Sequence, residues 1–280
     1  TMGLTPILPH LERNITIQSN PGMLVRFVEM GAILQVTAQS IAGDFGTPNE
    51  AYFLHADYVI GKAAEKGMLV ILAPAYSGFG GSSQEGWFPS MLSNGTTKMR
   101  AWGNYVGNRY RKYNNILWLN GGDYNPATAT ERDVVRAVAN GIQDVIPNAL
   151  QTFHGSRGTA ALQFWGLSEP WLTVNNIYTN DTTVVASART EFARSTRPFF
   201  LVEAIYERNG SANGQVVRMQ AYQAALSGAT SGVIGLEGLW QFGSDWRSLL
   251  NLSGALSMPT LTNTLGGTMW WKLQPDSAGT

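Results

Sequence analysis

The sequence predicts an α/β fold, and within that class a single-domain (β/α)8 TIM barrel spanning residues 1–280. Short apolar runs alternate with longer segments of helical periodicity along most of the chain. This alternation indicates parallel strands joined by right-handed helical crossovers. The length of 280 residues suits one barrel, since such barrels often comprise about 250 residues. A doubly wound open sheet is the alternative, but no Gly-x-Gly-x-x-Gly turn follows the first strand.

Apolar runs of strand length occur eight times, with the first the least regular. The segment Thr1–Ser19 has no clear periodicity, so we expect an atypical first strand. The candidate strands are Asn14–Gln18, Ala32–Thr37, Met68–Ala73, Ile116–Asn120, Ala149–Phe153, Thr173–Tyr178, Phe199–Glu203 and Gly232–Gly235.

Helix candidates lie between these strands and carry start and stop signals. Asn20 can cap a helix that has Pro21 at its first position. Pro48-Asn49-Glu50 opens another helix, and Gly67 ends it. This helix is Pro48–Lys66, and the remaining predicted helices are Thr97–Lys112, Glu131–Val145, Thr182–Arg194 and Gly214–Leu226.

Charge and hydropathy narrow the classes of partner. The chain has 19 basic and 19 acidic residues, so its net charge gives no reason to expect nucleic acid or an anionic membrane surface. No apolar run approaches the roughly 18 residues that a membrane helix needs. No signal peptide is visible at Thr1-Met2-Gly3-Leu4; if one was removed, we expect a secreted or periplasmic protein.

The residue types available also limit the chemistry. The chain has no cysteine, which excludes disulfides, thiolate catalysis and Cys-ligated zinc. Its three histidines lack the spacing of a catalytic zinc site, so we expect neither a metal nor another cofactor. The sequence does not predict the oligomeric state.

Two carboxylates stand at the ends of buried strands. Asp123 follows Ile116–Asn120 and two glycines, and Glu203 ends the run Phe199-Phe200-Leu201-Val202. Catalytic groups of a TIM barrel lie at the carboxyl ends of its strands, and glycoside hydrolysis needs a pair of carboxyl groups. We therefore predict Asp123 and Glu203 as catalytic residues. The alternatives are a turn residue bonded to its own backbone for Asp123, and an ion pair with an arginine for Glu203.

Other polar and aromatic residues follow the predicted strands and could contact a sugar. Glu237 could also replace one of the two carboxylates or pair with Arg218, and His154 could equally be a structural histidine. The predicted substrate-binding residues are Glu237, His154, Tyr178, Trp87, Trp240, Asn120 and Asp44.

Several motifs resemble those of the apiosidase-like glycoside hydrolases, family 140 and its relatives. The resemblance covers about Gly31 to Asp276 and is most specific in Asn120-Gly121-Gly122-Asp123-Tyr124-Asn125-Pro126 and in Trp270-Trp271-Lys272-Leu273. It implies a (β/α)8 barrel that hydrolyses glycosides of plant-type or bacterial polysaccharides with retention. By the same resemblance, Asp123 is the acid/base and Glu203 the nucleophile, and an oligo- or polysaccharide is the partner.

Two departures from this family pattern leave a second hypothesis open. Members usually carry a Gly-Asp-Thr-Ala-Trp-like first strand, which nothing in Thr1–Gln35 matches. Members also commonly continue into a small β-sandwich, which we expect to be missing from a chain ending at Thr280. A barrel that lacks part of its pocket wall could bind carbohydrate without cleaving it, so a non-catalytic carbohydrate-binding barrel is the alternative.

Overall fold

The computed structural model describes residues 7–9, 33–37, 44–83, 85–180, 182–240, 244–272 and 274–276. The chain divides into two compact units. The first unit comprises Pro9–Ser156 and Phe164–Val174, and the second comprises Thr1–Leu8, Arg157–Gln163 and Asn175–Thr280. The predicted strand Asn14–Gln18 and the predicted helix start at Asn20 lie outside the described residues.

A parallel sheet forms the centre of the first unit. Strand β1 (Ile7–Pro9) comes first in the chain, and most of it belongs to the second unit. The strands of the first unit that follow are β2 (Ile33–Thr37), β3 (Val70–Ala73), β4 (Ile116–Gly121) and β5 (Gln151–His154). Strands β2 to β5 pair in parallel in chain order. Every residue of β3, β4 and β5 is buried, as expected for a parallel sheet that is covered on both faces.

Helices of the first unit begin at side-chain caps or at proline. Helix α1 (Glu50–Glu65) has Asn49 as its cap, and α3 (Ala129–Val145) has a capping box formed by Thr128 and Glu131. Helix α2 (Phe88–Tyr110) packs closely on α3, because Gly103 and Gly141 let the two backbones approach. A Cβ atom on either glycine would lie 2.2 Å from a carbonyl oxygen of the other helix. Helix α4 (Ala161–Trp165) is divided between the two units, since the boundary falls after Gln163.

The second unit contains strands β6 (Asn175–Tyr178) and β7 (Phe199–Glu203), which pair in parallel with an irregularity between Ile177 and Tyr178. Its core includes apolar residues of both strands together with Val184 and Ala188. The helices of this unit are α5 (Val184–Arg194), α6 (Gly214–Leu226), α7 (Trp246–Leu249) and α8 (Ser253–Gly266). Short 3₁₀ turns occur at Phe79–Gly81 in the first unit and at Trp270–Lys272 in the second.

The prediction of a regular strand at Gly232–Gly235 is wrong. The described backbone here forms only isolated parallel bridges beside β7, at Leu201–Gly232 and at Glu207–Leu236. The Val233 N–H donates to the Leu201 carbonyl over 2.8 Å, so the segment still follows the strand. Glycines at 232 and 235 weaken a regular ladder, which accounts for the difference.

Several helices also differ from the sequence prediction, and the short helices α4 and α7 were not predicted. Helix α2 begins at Phe88 rather than at Thr97, because its range joins two helical segments across a kink at Gly95, where φ is 70° and ψ is 172°; the second segment begins close to Thr97. Helix α8 was not predicted, since Pro259 lies inside it and proline normally interrupts a helix. The fold class is nevertheless confirmed as α/β, with parallel strands and intervening helices.

Within the described ranges, no helix is both long and apolar enough to span a bilayer. A search of the same residues finds no cluster of three or more His, Asp or Glu side chains arranged to bind a metal ion.

Candidate active site

The turn after β4 places Asp123 through an unusual backbone conformation. The φ angles of Gly121, Gly122 and Asp123 are 77°, 143° and 38°, in the region that favours glycine. Aspartate is among the few other residues that tolerate this region. A Cβ atom at Gly122 would lie 2.3 Å from the Tyr76 ring, and one at Gly121 would lie 2.4 Å from Phe153. Glycine is therefore required at both positions before Asp123.

Hydrogen bonds on both sides fix the backbone of Asp123. Its N–H donates to Nδ1 of His154 over 2.8 Å, and the N–H of Gly122 donates to the His154 carbonyl over 2.9 Å. The Asp123 carbonyl accepts from the N–H of Gly80 over 3.2 Å. His154 is buried at the end of β5, and its Nδ1 is an acceptor here, so its ring proton belongs on Nε2.

The glycine-rich segment after β3 packs against this turn. The N–H of Ser77 donates to the Gly121 carbonyl over 3.0 Å, and Gly81 contacts the Tyr124 ring so closely that a Cβ atom would lie 3.2 Å from it. Phe79 in the same segment is 64% exposed. This glycine-rich segment is thus bonded directly to the Asp123 turn.

Glu131 of α3 fixes the chain that leaves the turn. Its Oε2 accepts from the N–H groups of Ala127 and Thr128, at 2.5 and 3.0 Å, and from the Tyr124 hydroxyl at 3.2 Å. These bonds, with the Thr128 N–H contributing most, lower the pKa of Glu131 below its usual value. The carboxylate therefore connects the turn to the first turn of α3.

Three other predicted sugar-binding residues of the first unit have neighbours in the protein. Asn120 is buried in β4, and its Nδ2 donates to Oε1 of Gln151 over 3.0 Å. Asp44 lies before α1, where the Gly46 N–H, the Thr47 hydroxyl and Lys98 lower its pKa to about 2. Trp87 precedes α2 and is half-buried, and the part of the chain that the structure describes offers its buried Nε1 no hydrogen-bond acceptor.

In the second unit, Glu203 ends β7 and is half-buried. Its Oε1 accepts a hydrogen bond of 2.7 Å from the Tyr206 hydroxyl. Tyr178 pairs with Glu203 across the two strands and is buried, with the Arg157 guanidinium 5.6 Å from its ring centroid. The backbone N–H of Thr179 donates to the Glu203 carbonyl over 3.1 Å.

A backbone hydrogen bond connects Glu237 to the segment that follows β7. Its N–H donates to the Glu207 carbonyl over 2.8 Å, while its Oε2 accepts from Nδ2 of Asn209 over 3.0 Å. Its side chain therefore bonds to Asn209, where the sequence had suggested Arg218. Trp240 follows three residues later and is 40% exposed.

The structure thus brings predicted residues together in each unit. Asp123 meets His154 in the first unit, and Glu203 lies beside Tyr178 in the second. Sequence reasoning did not select Tyr206 or the buried Glu207 for the site. Their spacing of three and four residues after Glu203 was the available signal, but it does not show which partners they contact.

Comparison with known proteins identifies the relatives of this chain. The family described as "Apiosidase-like, catalytic domain" matches residues 27–272. A solved structure of a glycoside hydrolase has a TM-score of 0.80 at 19% identity, covering 99% of this chain and 73% of its own. A family 5 glycoside hydrolase from Bacteroides vulgatus ATCC 8482 also has a TM-score of 0.80, at 20% identity, covering 99% of this chain and 70% of its own. These two likenesses show the fold.

Curated proteins match over a short stretch. The tyrosine-protein phosphatase YwqE of Bacillus subtilis (strain 168) is 44% identical over 52 residues, which are 19% of this chain and 20% of that protein. The chain therefore spans about a fifth of the length of the curated relatives it matches.

Proposed function

Because the chain belongs to the apiosidase-like family of glycosidase catalytic domains, we propose that it is a retaining glycoside hydrolase. We propose one catalytic domain over residues 1–280, closed as a (β/α)8 barrel. Its substrate is an oligo- or polysaccharide of plant or bacterial type. The similarity to glycoside hydrolase structures over 99% of the chain supports this architecture.

The proposed reaction uses the two predicted carboxyl groups in turn. Glu203 attacks the anomeric carbon, while Asp123 donates its proton to the oxygen of the leaving group, so that the glycosidic bond breaks. A glycosyl ester of Glu203 and a free alcohol result. Asp123, now a carboxylate, removes a proton from water, which attacks the anomeric carbon and releases both the sugar and Glu203.

The Gly121-Gly122-Asp123 turn is the observation that carries this proposal. A side chain in a left-handed conformation costs free energy, and such costs are concentrated at functional sites. The surrounding structure stabilises this conformation through His154 and Gly80, which bond to the two sides of the same residue. A turn residue that merely satisfied its own backbone would not need these partners from the end of β5 and from the glycine-rich segment after β3.

The remaining predicted residues stay predictions in this scheme. Glu237, Tyr178, Trp87 and Trp240 would contact the sugar by hydrogen bonding or ring stacking. His154, Asn120 and Asp44 each bond to protein groups as well, so a sugar contact would be additional to that role.

Hydrolysis of a panel of aryl glycosides and plant and bacterial polysaccharides tests the proposal. We expect the wild type to release sugar from at least one substrate, and Glu203→Gln to release it several orders of magnitude more slowly. Glu65→Gln, which changes an exposed carboxylate of α1, is the matched control. Quenching of Trp fluorescence by a glycan that is not cleaved would instead support the carbohydrate-binding alternative.

A further inference from the structure

The carboxylate of Glu203 has a different kind of hydrogen-bond partner from the carboxylates of the next two glutamates in the chain. Oε1 of Glu203 accepts from the Tyr206 hydroxyl. Glu207, which is 5% exposed, accepts from the Ser253 hydroxyl at 3.2 Å and the Gly254 N–H at 2.8 Å, at the start of α8. Glu237 accepts from Asn209. A neutral phenol therefore bonds to the one carboxylate that ends a strand.

The Tyr206 ring lies against a position that only glycine can occupy. A Cβ atom on Gly235 would lie 2.0 Å from Cδ1 of Tyr206 and 2.3 Å from Cγ. The φ angle of Gly235 is not in the left-handed region, so its backbone conformation does not itself require glycine. Close packing of the Tyr206 ring is thus the reason for glycine at 235.

Bonds on both sides of Tyr206 fix its backbone. On one side, the buried Gln220 of α6 accepts from the Ile205 N–H at 2.9 Å and donates to the Ile205 carbonyl at 3.2 Å. On the other side, the N–H of Glu207 donates to the Gly235 carbonyl at 2.9 Å, and the Glu207 carboxylate bonds to α8. The hydroxyl therefore reaches Glu203 from a preorganised backbone.

We infer that Tyr206 is a positioning residue that orients the carboxylate of Glu203, and that Gly235 and Gln220 place its ring for this purpose. This inference rests on the proposed role of Glu203 as nucleophile. It adds a residue that touches Glu203 and need not touch the sugar.

A phenol suits this role better than a cation would. The negative charge of a carboxylate nucleophile disappears as the glycosyl ester forms, so a strong ion pair would stabilise the ground state more than the transition state. A neutral hydroxyl restricts rotation of the carboxylate and favours its ionised form at a smaller cost in reactivity. Arg208, a cation of the same turn, lies 3.9 Å from Asp245.

Kinetics and NMR of Tyr206→Phe test the inference. The substitution removes the hydroxyl and leaves the ring against Gly235. We expect kcat to fall roughly tenfold to a hundredfold with KM little changed. We also expect the titration midpoint of the ¹³C-labelled Glu203 carboxyl, identified by its loss in Glu203→Gln, to rise by about one pH unit, because a hydrogen bond to the ionised form is lost.

Two further variants complete the design. Tyr222→Phe, on α6 against the apolar cluster around Met258, removes a hydroxyl elsewhere in the unit and should leave both readouts unchanged. Gly235→Ala retains the hydroxyl but displaces the ring, so it should shift both readouts in the same direction as Tyr206→Phe.

The outcomes separate this inference from the proposed function. If Tyr206→Phe has a kcat within twofold of wild type and an unshifted Glu203 titration, the role of Tyr206 is overturned. A wild type that cleaves no glycan would overturn the proposed function. In that case the NMR titration would still decide whether Tyr206 bonds to Glu203 in solution.

Discussion

The chemistry proposed for Asp123 depends on a single residue in a strained conformation. Its φ of 38° lies in the left-handed region, and the bond from its N–H to His154 stabilises that conformation. A general acid must lie within hydrogen-bonding reach of the leaving-group oxygen. The backbone conformation that positions the Asp123 carboxyl group is therefore the first condition for its catalysis.

Asp123→Asn should affect substrates according to their leaving group. The variant cannot donate a proton, so turnover of a substrate with a sugar or alkyl leaving group should fall about 10²–10⁴-fold. Activated aryl glycosides need less protonation and should lose less. Initial rates on matched aryl and alkyl glycosides measure the difference, and Asp133→Asn on the exposed surface of α3 is the control. Equal losses on both substrates would exclude Asp123 as the acid.

Asp44 should contribute to stability in a defined pH range. Its pKa is lowered from 3.8 to about 2 by the Gly46 N–H, Thr47 and Lys98. A lowered pKa in the folded state means that the contribution is present above about pH 4 and is lost as the pH falls towards 2. Thermal unfolding of wild type and Asp44→Asn should therefore give different Tm values at pH 6 that converge near pH 2. A difference that persists unchanged at pH 2 would contradict this assignment.

The sequence predicted Asp123 and Glu203 as catalytic because each stands at the end of an apolar run. Such a position can be recognised from the sequence alone. Sequence reasoning assigned no role to Tyr206, because the value of that residue lies in a hydrogen bond to Glu203 and in the packing of its ring against Gly235, 29 positions further along the chain (235 minus 206). The contact with Gly235 arises from tertiary packing and leaves no local pattern.

Among the secondary-structure elements, the N-terminal cap of α3 also holds the chain that leaves the Asp123 turn. Thr128 accepts from the Glu131 N–H at 3.2 Å, and the Glu131 carboxylate bonds to Thr128, Ala127 and Tyr124. The same residues therefore end the Asp123 turn and begin the helix.

Thr128→Ala should lower the free energy of unfolding by about 1 kcal/mol, since the cap hydroxyl is lost. Thr128→Ser, which keeps a hydroxyl, should restore most of it. Urea denaturation measures both variants. A Thr128→Ala protein as stable as the wild type would show that the capping box contributes nothing measurable.

Gly122→Ala should both destabilise the protein and displace Asp123. A side chain at φ 143° is strained and would meet the Tyr76 ring at 2.3 Å, so we expect a loss of about 1–3 kcal/mol or more. Gly95→Ala is the matched control, because Gly95 also has a positive φ but a Cβ atom there meets nothing within 4 Å. Comparable losses in the two variants would show that contact with Tyr76 is unimportant.

Elements with regular signals were predicted well, and those with irregular signals were not. The predicted strand Phe199–Glu203 and helix Gly214–Leu226 have the bounds that the structure shows. Helix α8 was missed because of Pro259, and α2 was predicted too short because of Gly95. Packing keeps Pro259 within α8, whereas Gly95 does kink α2, so that the second segment of α2 begins close to the predicted start at Thr97.

For the whole molecule, the alternation of strands and helices predicted the α/β class because it depends on many residues at once. Parallel pairing of β2 to β5 in chain order follows from short helical connections. The segment Gly232–Gly235 did not form a regular strand, since its glycines provide few side chains to pack. Barrel closure and a single catalytic domain stay predictions.

The most direct test of the central claim is to identify the residue that bears a trapped sugar. The wild type is incubated with a 2-deoxy-2-fluoro glycoside of the best substrate found in the panel, and its peptides are sequenced by tandem mass spectrometry. The account predicts a glycosyl ester on Glu203 and no such adduct in Glu203→Gln. An ester on another carboxylate, or hydrolysis with inversion and no adduct, would contradict it.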